Sequence, residues 1–308
     1  MSSRAWLAFA AISLLWGIPY LFIKIAVDGG VPPLLLAWGR ISLGAAVLLA
    51  LAWRAGTLAP LRGRGRWLLV YAVAELAIPF PMIAFGEERV ASSTAAIVIA
   101  TAPLIVAGLA LRFEPAERLE GRRLAGLLVG LGGVAALVGI DVAGSARELL
   151  GVASLFVAAC GYAIGPMVLK RHLADLDPIA SMGVCLAIAG VVLTPLAAAA
   201  VPSADPSGGA IASVVVLGLL CTALALVLMA ILVNEAGPGR ALVITYVNPV
   251  IAVALGVIFL GEEPGAGAIV GLAAILAGSW LATRGGPTPE VRPDPVATAA
   301  AVPDPPPR

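Results

Sequence analysis

Two ionisable residues stand inside long apolar runs of this sequence. Glu75 sits in the run from Val70 to Pro79, and Arg40 follows Trp38-Gly39. An acidic or basic side chain at the centre of a bilayer costs about 2.5–3.5 kcal/mol even on the mildest insertion scales, so each must face a cavity or a partner. A buried carboxyl that exchanges a proton is the chemistry of a coupling group in transport. The structural alternative is an ion pair between Glu75 and Arg40, whose depths differ by about 6 Å at roughly 1.5 Å of rise per residue; a third reading puts Glu75 nearer an interface. Arg40 also has the planar fork that suits a substrate carboxylate. Lys24 and Lys170 close two apolar runs, either as snorkelling anchors or as charges at the two mouths of a pathway. Pro19, Pro103, Pro166 and Pro249 each interrupt an apolar run and free a backbone carbonyl, which makes them kink or gate candidates as well as packing features. Asn248 adds an amide beside Pro249, and Trp16, Tyr20 and Tyr246 supply cavity walls or interfacial aromatics.

Other chemistry is absent from the sequence. His172 is the single histidine and stands beside Lys170 and Arg171, a loop setting. Cys160, Cys185 and Cys221 lie in apolar runs without metal-ligand spacing and read as structural thiols. No nucleophile triad, metal cluster or phosphate loop is visible, so no cofactor is expected.

The elements that must position these residues are membrane helices. The 308 residues are 61% hydrophobic and 12% charged, with a mean hydropathy of +1.04. A soluble chain averages about 45–50% apolar and about 25% charged. The net charge of +1 gives no electrostatic case for nucleic acid. Ten continuous apolar runs approach the roughly 20 residues that cross hydrocarbon. They cover about 5–27, 33–52, 67–86, 91–112, 122–140, 148–170, 177–200, 210–231, 238–260 and 265–283. The first is long enough to span and is expected to be a retained helix rather than a cleaved signal. The runs lack period-2 alternation, which favours helices over a barrel. Residues 284–308, rich in proline and charge, are expected to form a disordered cytoplasmic tail.

Basic residues set the expected orientation. Arg4, Arg54, Arg62, Arg64, Arg66, Arg112, Arg118, Arg122, Arg123, Lys170, Arg171, Arg240, Arg284, Arg292 and Arg308 fall on the side of the N-terminus, against Lys24, Arg89 and Arg147 opposite. Both termini are therefore expected in the cytoplasm. The stretches Glu88–Gly126 and Asn234–Gly271 echo one another: Ala95 matches Ala241, Pro103 matches Pro249 and Glu117 matches Glu263, at an offset of 146 that also carries Lys24 onto Lys170. The spacing predicts two five-helix repeats, residues 1–140 and 148–283. An odd number of spans per half makes the repeats inverted, the arrangement that alternating access exploits. Gly126/Gly130, Gly161/Gly165 and Gly267/Gly271 have GxxxG spacing and are read as close helix packing, with no claim about a dimer.

Several motifs resemble the EamA branch of the drug/metabolite transporter superfamily over residues 5–283. They are Leu15-Trp16-Gly17 with Lys24, Trp38-Gly39-Arg40, Ala95 to Pro103, Glu117-Arg118-Leu119, Tyr246 to Pro249, and Gly261-Glu262-Glu263-Pro264. Ala116 stands where the family prefers glycine. The resemblance implies a ten-helix permease of the bacterial cytoplasmic membrane, often an exporter of amino acids or other small metabolites. The partners expected are therefore a small solute and membrane lipid, with proton coupling attached to the functional reading of Glu75. A membrane-embedded enzyme would need clustered His, Asp or Glu at one interface, and a non-transporting scaffold would not need the repeat.

Overall fold

A computed structural model of the chain describes residues 2–113, 121–142, 144–202, 204–236 and 244–283. Ala116, Glu117, Arg118, Leu119, Arg240, Ala241 and the segment 284–308 lie outside the described residues. All regular structure among the described residues is helical. Eight helices are long and apolar enough to cross a membrane: α1 (Ser3–Asp28), α2 (Pro33–Ala55), α3 (Gly65–Glu87), α4 (Ser92–Leu109), α5 (Leu124–Val142), α6 (Ala146–Leu173), α7 (Pro178–Ala199) and α8 (Gly208–Val233). Two shorter apolar helices follow, α9 (Ile244–Leu260) and α10 (Ala266–Leu281). The chain is an all-α polytopic membrane protein.

Local chemistry starts and stops these helices. The side chains of Ser2, Ser145, Asp177 and Ser207 each accept a backbone N–H of the following first turn. Pro33 and Pro178 open α2 and α7, where a missing N–H costs nothing. Gly56, at φ 71°, ends α2 in the left-handed conformation. Inside the helices, Ala72–Ala77 of α3 and Leu219–Leu224 of α8 widen into π turns, close to equivalent places under the 146-residue offset.

The most extensive packing pairs map onto one another when each helix is exchanged for the one five places away, whereas α4·α10 and α1·α3 have no counterpart of like extent among the described residues. α3 packs on α6 as α8 packs on α1, and α4 packs on α6 as α9 packs on α1. α2 meets α8 as α7 meets α3, while α2·α7, α4·α9 and α5·α10 exchange into themselves. Large apolar side chains such as Leu128, Val191, Ile258 and Phe259 remain exposed on the outside, the surface that hydrocarbon covers.

Connections between helices gather into two sets. The α1–α2, α3–α4, α5–α6, α7–α8 and α9–α10 connections are tied together. Ser207 N–H donates to Gly29 O at 3.0 Å and Arg147 to Glu88 O at 2.6 Å. Lys24 donates to Glu87 O at 3.0 Å. Glu262 accepts from Ser92 and Ser93 N–H at 2.7 and 3.0 Å, and Asp141 from Gly267 and Ala268 N–H at 3.2 and 2.6 Å. We call this the Lys24 face. Arg64 donates to His172 O and pairs with Asp175, both at 2.6 Å, tying the α2–α3 connection to the end of α6. This is the Arg64 face.

The seam between α5 and α10 uses glycine for backbone contact. A Cβ added to Gly278 would lie 2.5 Å from both Gly126 O and Gly130 N, and one on Gly133 would lie 2.8 Å from Gly271 O. The close packing expected at Gly126/Gly130 and Gly271 is thus formed within the chain. Because the obstructing atoms at Gly278 are backbone, they cannot turn aside, and Gly278→Val is expected to cost about 1–3 kcal/mol. Thermal unfolding in detergent checks this; an unchanged midpoint would contradict the packing described.

Candidate functional site

Arg40 lies seven residues into α2, about 10 Å below its start at 1.5 Å per residue. It is 7% exposed. Its Nε donates to Thr222 Oγ1 at 2.9 Å, and its guanidinium carbon lies 4.1 Å from the centre of the Phe80 ring. Thr222 belongs to the π turn of α8, which directs its hydroxyl inward and lets it donate in turn to Leu217 O at 2.9 Å. The cation is therefore held by one neutral hydrogen bond and one aromatic face, where helices from the two halves of the chain meet. No carboxylate among the described residues forms an ion pair with it.

Glu75 occupies the π turn of α3 and does not pair with Arg40. The widened turn aims its carboxyl at α6, where a Cβ on Gly165 would collide with Oε2. Gly161, one turn earlier, makes room for Ala74 O in the same way. Oε2 is fully buried and has no hydrogen-bond partner. Tyr162 stands within electrostatic reach of both Glu75 and Arg40. An apolar groove of about 540 Å³, lined by Val73, Ala74, Ile78, Cys160, Gly161 and Ile164, runs past this contact on the lipid side. The ion pair weighed as the structural alternative is not formed: the π turn sends Glu75 towards α6 while Arg40 is turned towards α8.

A third buried charge was not anticipated. Glu87 ends α3, is 0% exposed, and neither carboxylate oxygen has a hydrogen-bond partner. Lys24 and Arg40 are both within electrostatic reach of it. In the sequence it belongs to Gly86-Glu87-Glu88-Arg89, which reads as a connection, and only the final turn of α3 carries it inside. Lys24 is half-buried, donates to Asp28 at 3.0 Å, and stands in the wall of a polar cleft of about 420 Å³ on its face. Asp141, Arg147, Glu148, Glu262 and Glu263 share that wall. Lys170, its sequence equivalent, is exposed in the last turn of α6.

The remaining expected residues separate. Tyr20 is half-buried and within electrostatic reach of Arg40, Glu87 and Tyr162. Trp16 packs one turn earlier with Phe9, Leu228 and Ile244. Tyr246 reaches Ser279 O at 3.4 Å, a contact with α10. Asn248, with its amide nitrogen towards the two carbonyls, donates to Ile244 O at 3.1 Å and Ser13 O at 3.2 Å, joining α9 to α1. Gly17 lets the same two helices close, since a Cβ there would lie 2.5 Å from Ile251. Pro19 and Pro249 are buried, Pro103 is half-buried, and Pro166 is exposed. Pro19 begins a fresh helical segment after Gly17, and α4 breaks before Pro103 at Ala100–Thr101. Among the described residues, no group of His, Cys, Asp and Glu has the arrangement to hold a metal ion.

Comparisons with known proteins agree with this architecture. A profile of the EamA-like transporter family matches residues 3–139 and again 149–284. The chain is 31% identical to the inner membrane transporter YedA of Escherichia coli K12 over 262 residues, 83% of this chain and 82% of that one. It is 30% identical over 289 residues to a Streptantibioticus cattleyicolor protein named "Probable terminal-alkyne amino-acid exporter", covering 92% of this chain and 94% of that one. A solved crystal structure superposes with a TM-score of 0.64 at 26% identity, covering 92% of this chain and 98% of that one. The chain belongs to the EamA-like transporter family, and is a multi-pass protein of the cytoplasmic membrane that transports a small solute rather than an enzyme.

Proposed function

We propose that this protein is a secondary exporter of a small amino-acid-like metabolite, working by alternating access between two inverted five-helix halves, residues 1–140 and 148–283. The observation that carries the reading is Arg40, buried on Thr222 and Phe80 where α2 and α3 of the first half meet α8 of the second. A guanidinium that has no carboxylate partner among the described residues is suited to a substrate carboxylate. The exchange symmetry of the packing pairs supports two equivalent halves, and the double match of the family profile divides the chain at the same place. The two sets of tied connections are what ten alternating spans would give. Export and an amino-acid-like substrate draw on the relative from Streptantibioticus cattleyicolor. The basic bias puts the Arg64 face, with both termini, in the cytoplasm and the Lys24 face outside.

Glu75 is the proton-coupling group in this reading. Its half-buried carboxyl on the α3–α6 contact, with Oε2 buried and without a hydrogen-bond partner, can take up or lose a proton as the halves move.

Cysteine labelling in intact cells checks the orientation. Probes at Pro60 and His172 should be protected, and probes at Arg147 and Asp205 accessible; reversal of the first and third would overturn it.

Flux in proteoliposomes under an imposed pH gradient checks the coupling. Glu75→Gln keeps the shape but cannot carry the proton, so it should abolish gradient-driven flux and retain solute exchange. Gradient dependence like that of the wild type would remove Glu75 from the mechanism.

A further inference from the structure

The apolar groove between α3 and α6 opens on the outside of the molecule, the surface that hydrocarbon covers. Side chains that are 38–47% exposed form its walls: Leu69, Val70 and Ile78 on α3, and Val157 and Ile164 on α6. The small residues Ala74, Cys160 and Gly161 lie between them and leave the volume of about 540 Å³. Leu69 belongs to the first turns of α3, at the Arg64 face. From Leu69 to Ile78 the groove runs about 14 Å at roughly 1.5 Å per residue, close to the half-thickness of about 15 Å of a hydrocarbon core. That is the depth of one leaflet, and of one acyl chain within it.

Cations stand over the end of the groove on the Arg64 face. Arg66 precedes Leu69 and Val70 by three and four residues, which places it on the same stripe of α3. Arg171 follows Ile164 by seven, two turns further along α6. Both arginines are exposed. Trp67 and His172 join the two helix ends: their rings stack at 3.5 Å with 5° between the planes. The guanidinium carbon of Arg66 lies 4.4 Å from the centre of the same indole. Arg64, beside them, is spent on Asp175 and on His172 O. Under the 146-residue offset Arg66 and Arg171 fall on Ala212 and Ile25, so the cations belong to this groove and not to the repeat.

Basic residues scattered along a membrane face attract anionic lipid without selecting a molecule of it. Here they crown an apolar groove one leaflet deep. We propose that the α3–α6 groove is a binding site for one anionic phospholipid, with an acyl chain along the groove and the phosphodiester on Arg66 and Arg171. The fork of a guanidinium suits phosphate oxygens, and an indole at this level suits the interface between chain and head group. A free phosphate would satisfy the cations and leave the groove empty. Gly161 lines the groove and also receives Ala74 O, one turn from the contact of Gly165 with Glu75. The lipid therefore packs against the two helices that hold Glu75. The inference concerns lipid rather than solute, and stands whether or not Arg40 binds a carboxylate.

Native mass spectrometry of the full-length protein in detergent reads the site, with dioleoyl phosphatidylglycerol and dioleoyl phosphatidylcholine as probes. One phosphatidylglycerol should stay bound, about tenfold or more tightly than phosphatidylcholine, since each basic residue near an anionic head group is worth about fivefold. Arg66→Gln and Arg171→Gln should each weaken it by about that fivefold step. Arg54→Gln removes an exposed arginine of the same face at the end of α2, away from the groove, and should leave retention unchanged. Cys160→Phe fills the groove and should abolish retention with both arginines in place. Glycerol 3-phosphate, a head group without chains, should not compete. Thermal midpoints of the lipid-free variants, read alongside, separate lost binding from lost fold.

Equal retention of the two lipids, or a loss in Arg54→Gln as large as that in Arg66→Gln, would reduce the site to diffuse attraction and overturn it. Competition by glycerol 3-phosphate would leave a phosphate site that does not use the groove. A lipid-free dimer that Cys160→Phe dissolves would put a second copy of the chain in the groove, and would overturn the lipid as its occupant.

Discussion

The guanidinium of Arg40 must find its partners inside the protein, because hydrocarbon supplies none. That requirement organises the centre of the molecule. It draws the hydroxyl of Thr222 from one half and the ring of Phe80 from the other onto a single cation. Thr222 is available there because α8 widens into a π turn, and the equivalent turn of α3 is where Glu75 leaves its helix. At these two equivalent places the same irregularity serves a different polar group. Insertion of one residue into a helical turn changes which neighbour a side chain meets, at the cost of weaker local hydrogen bonding.

The two faces are held by different physics. On the Lys24 face, carboxylates accept backbone N–H groups at helix N-termini, and they do so across the halves. Glu262 of the second half caps α4 of the first, and Asp141 at the end of α5 caps α10 of the second. Glycines clear the space: a Cβ on Gly256 would strike Glu262, and one on Gly265 or Gly267 would strike Asp141. Caps of this kind are charge-assisted and directional, and removing one typically costs about 0.5–2 kcal/mol. On the Arg64 face the ties are more exposed. Arg64–Asp175 has both partners open to water, and Arg4–Glu235 has one largely so. Exposed pairs contribute about 0–1 kcal/mol. A transporter that opens its faces in turn can use such a difference to set which face rests closed.

Much of this was legible in the sequence. Apolar run lengths located the helices to within a few residues, because the hydrocarbon thickness fixes the length of a span. Arg40 and Glu75 stood out because charge inside an apolar run is costly. Their partners did not, since the pairing depends on which side of the helix each side chain leaves, and a π turn changes that without any distinctive residue. Thr222 is an ordinary residue in a membrane helix and gave no signal. Glu87 was hidden by its neighbours Glu88 and Arg89, which make the end of α3 look like a surface connection. Lys24 and Lys170 match in sequence, yet one lines a polar cleft and the other is exposed, because only the first has a carboxylate one turn away and a helix end opposite. Glu262 and Asp141 look like loop acids until the helix ends they cap are placed beside them.

The central claim is that the two halves exchange access across the Arg40 seam. Pulsed electron-spin distances test it most directly, in protein freed of Cys160, Cys185 and Cys221 and reconstituted in lipid. One label pair, at positions 28 and 205, spans the halves on the Lys24 face; another, at Arg62 and Ala174, spans them on the Arg64 face. The account predicts that L-propargylglycine and an imposed pH gradient move the two distributions in opposite directions, one lengthening as the other shortens. Distances that stay fixed on both faces while the labelled protein still transports would contradict it.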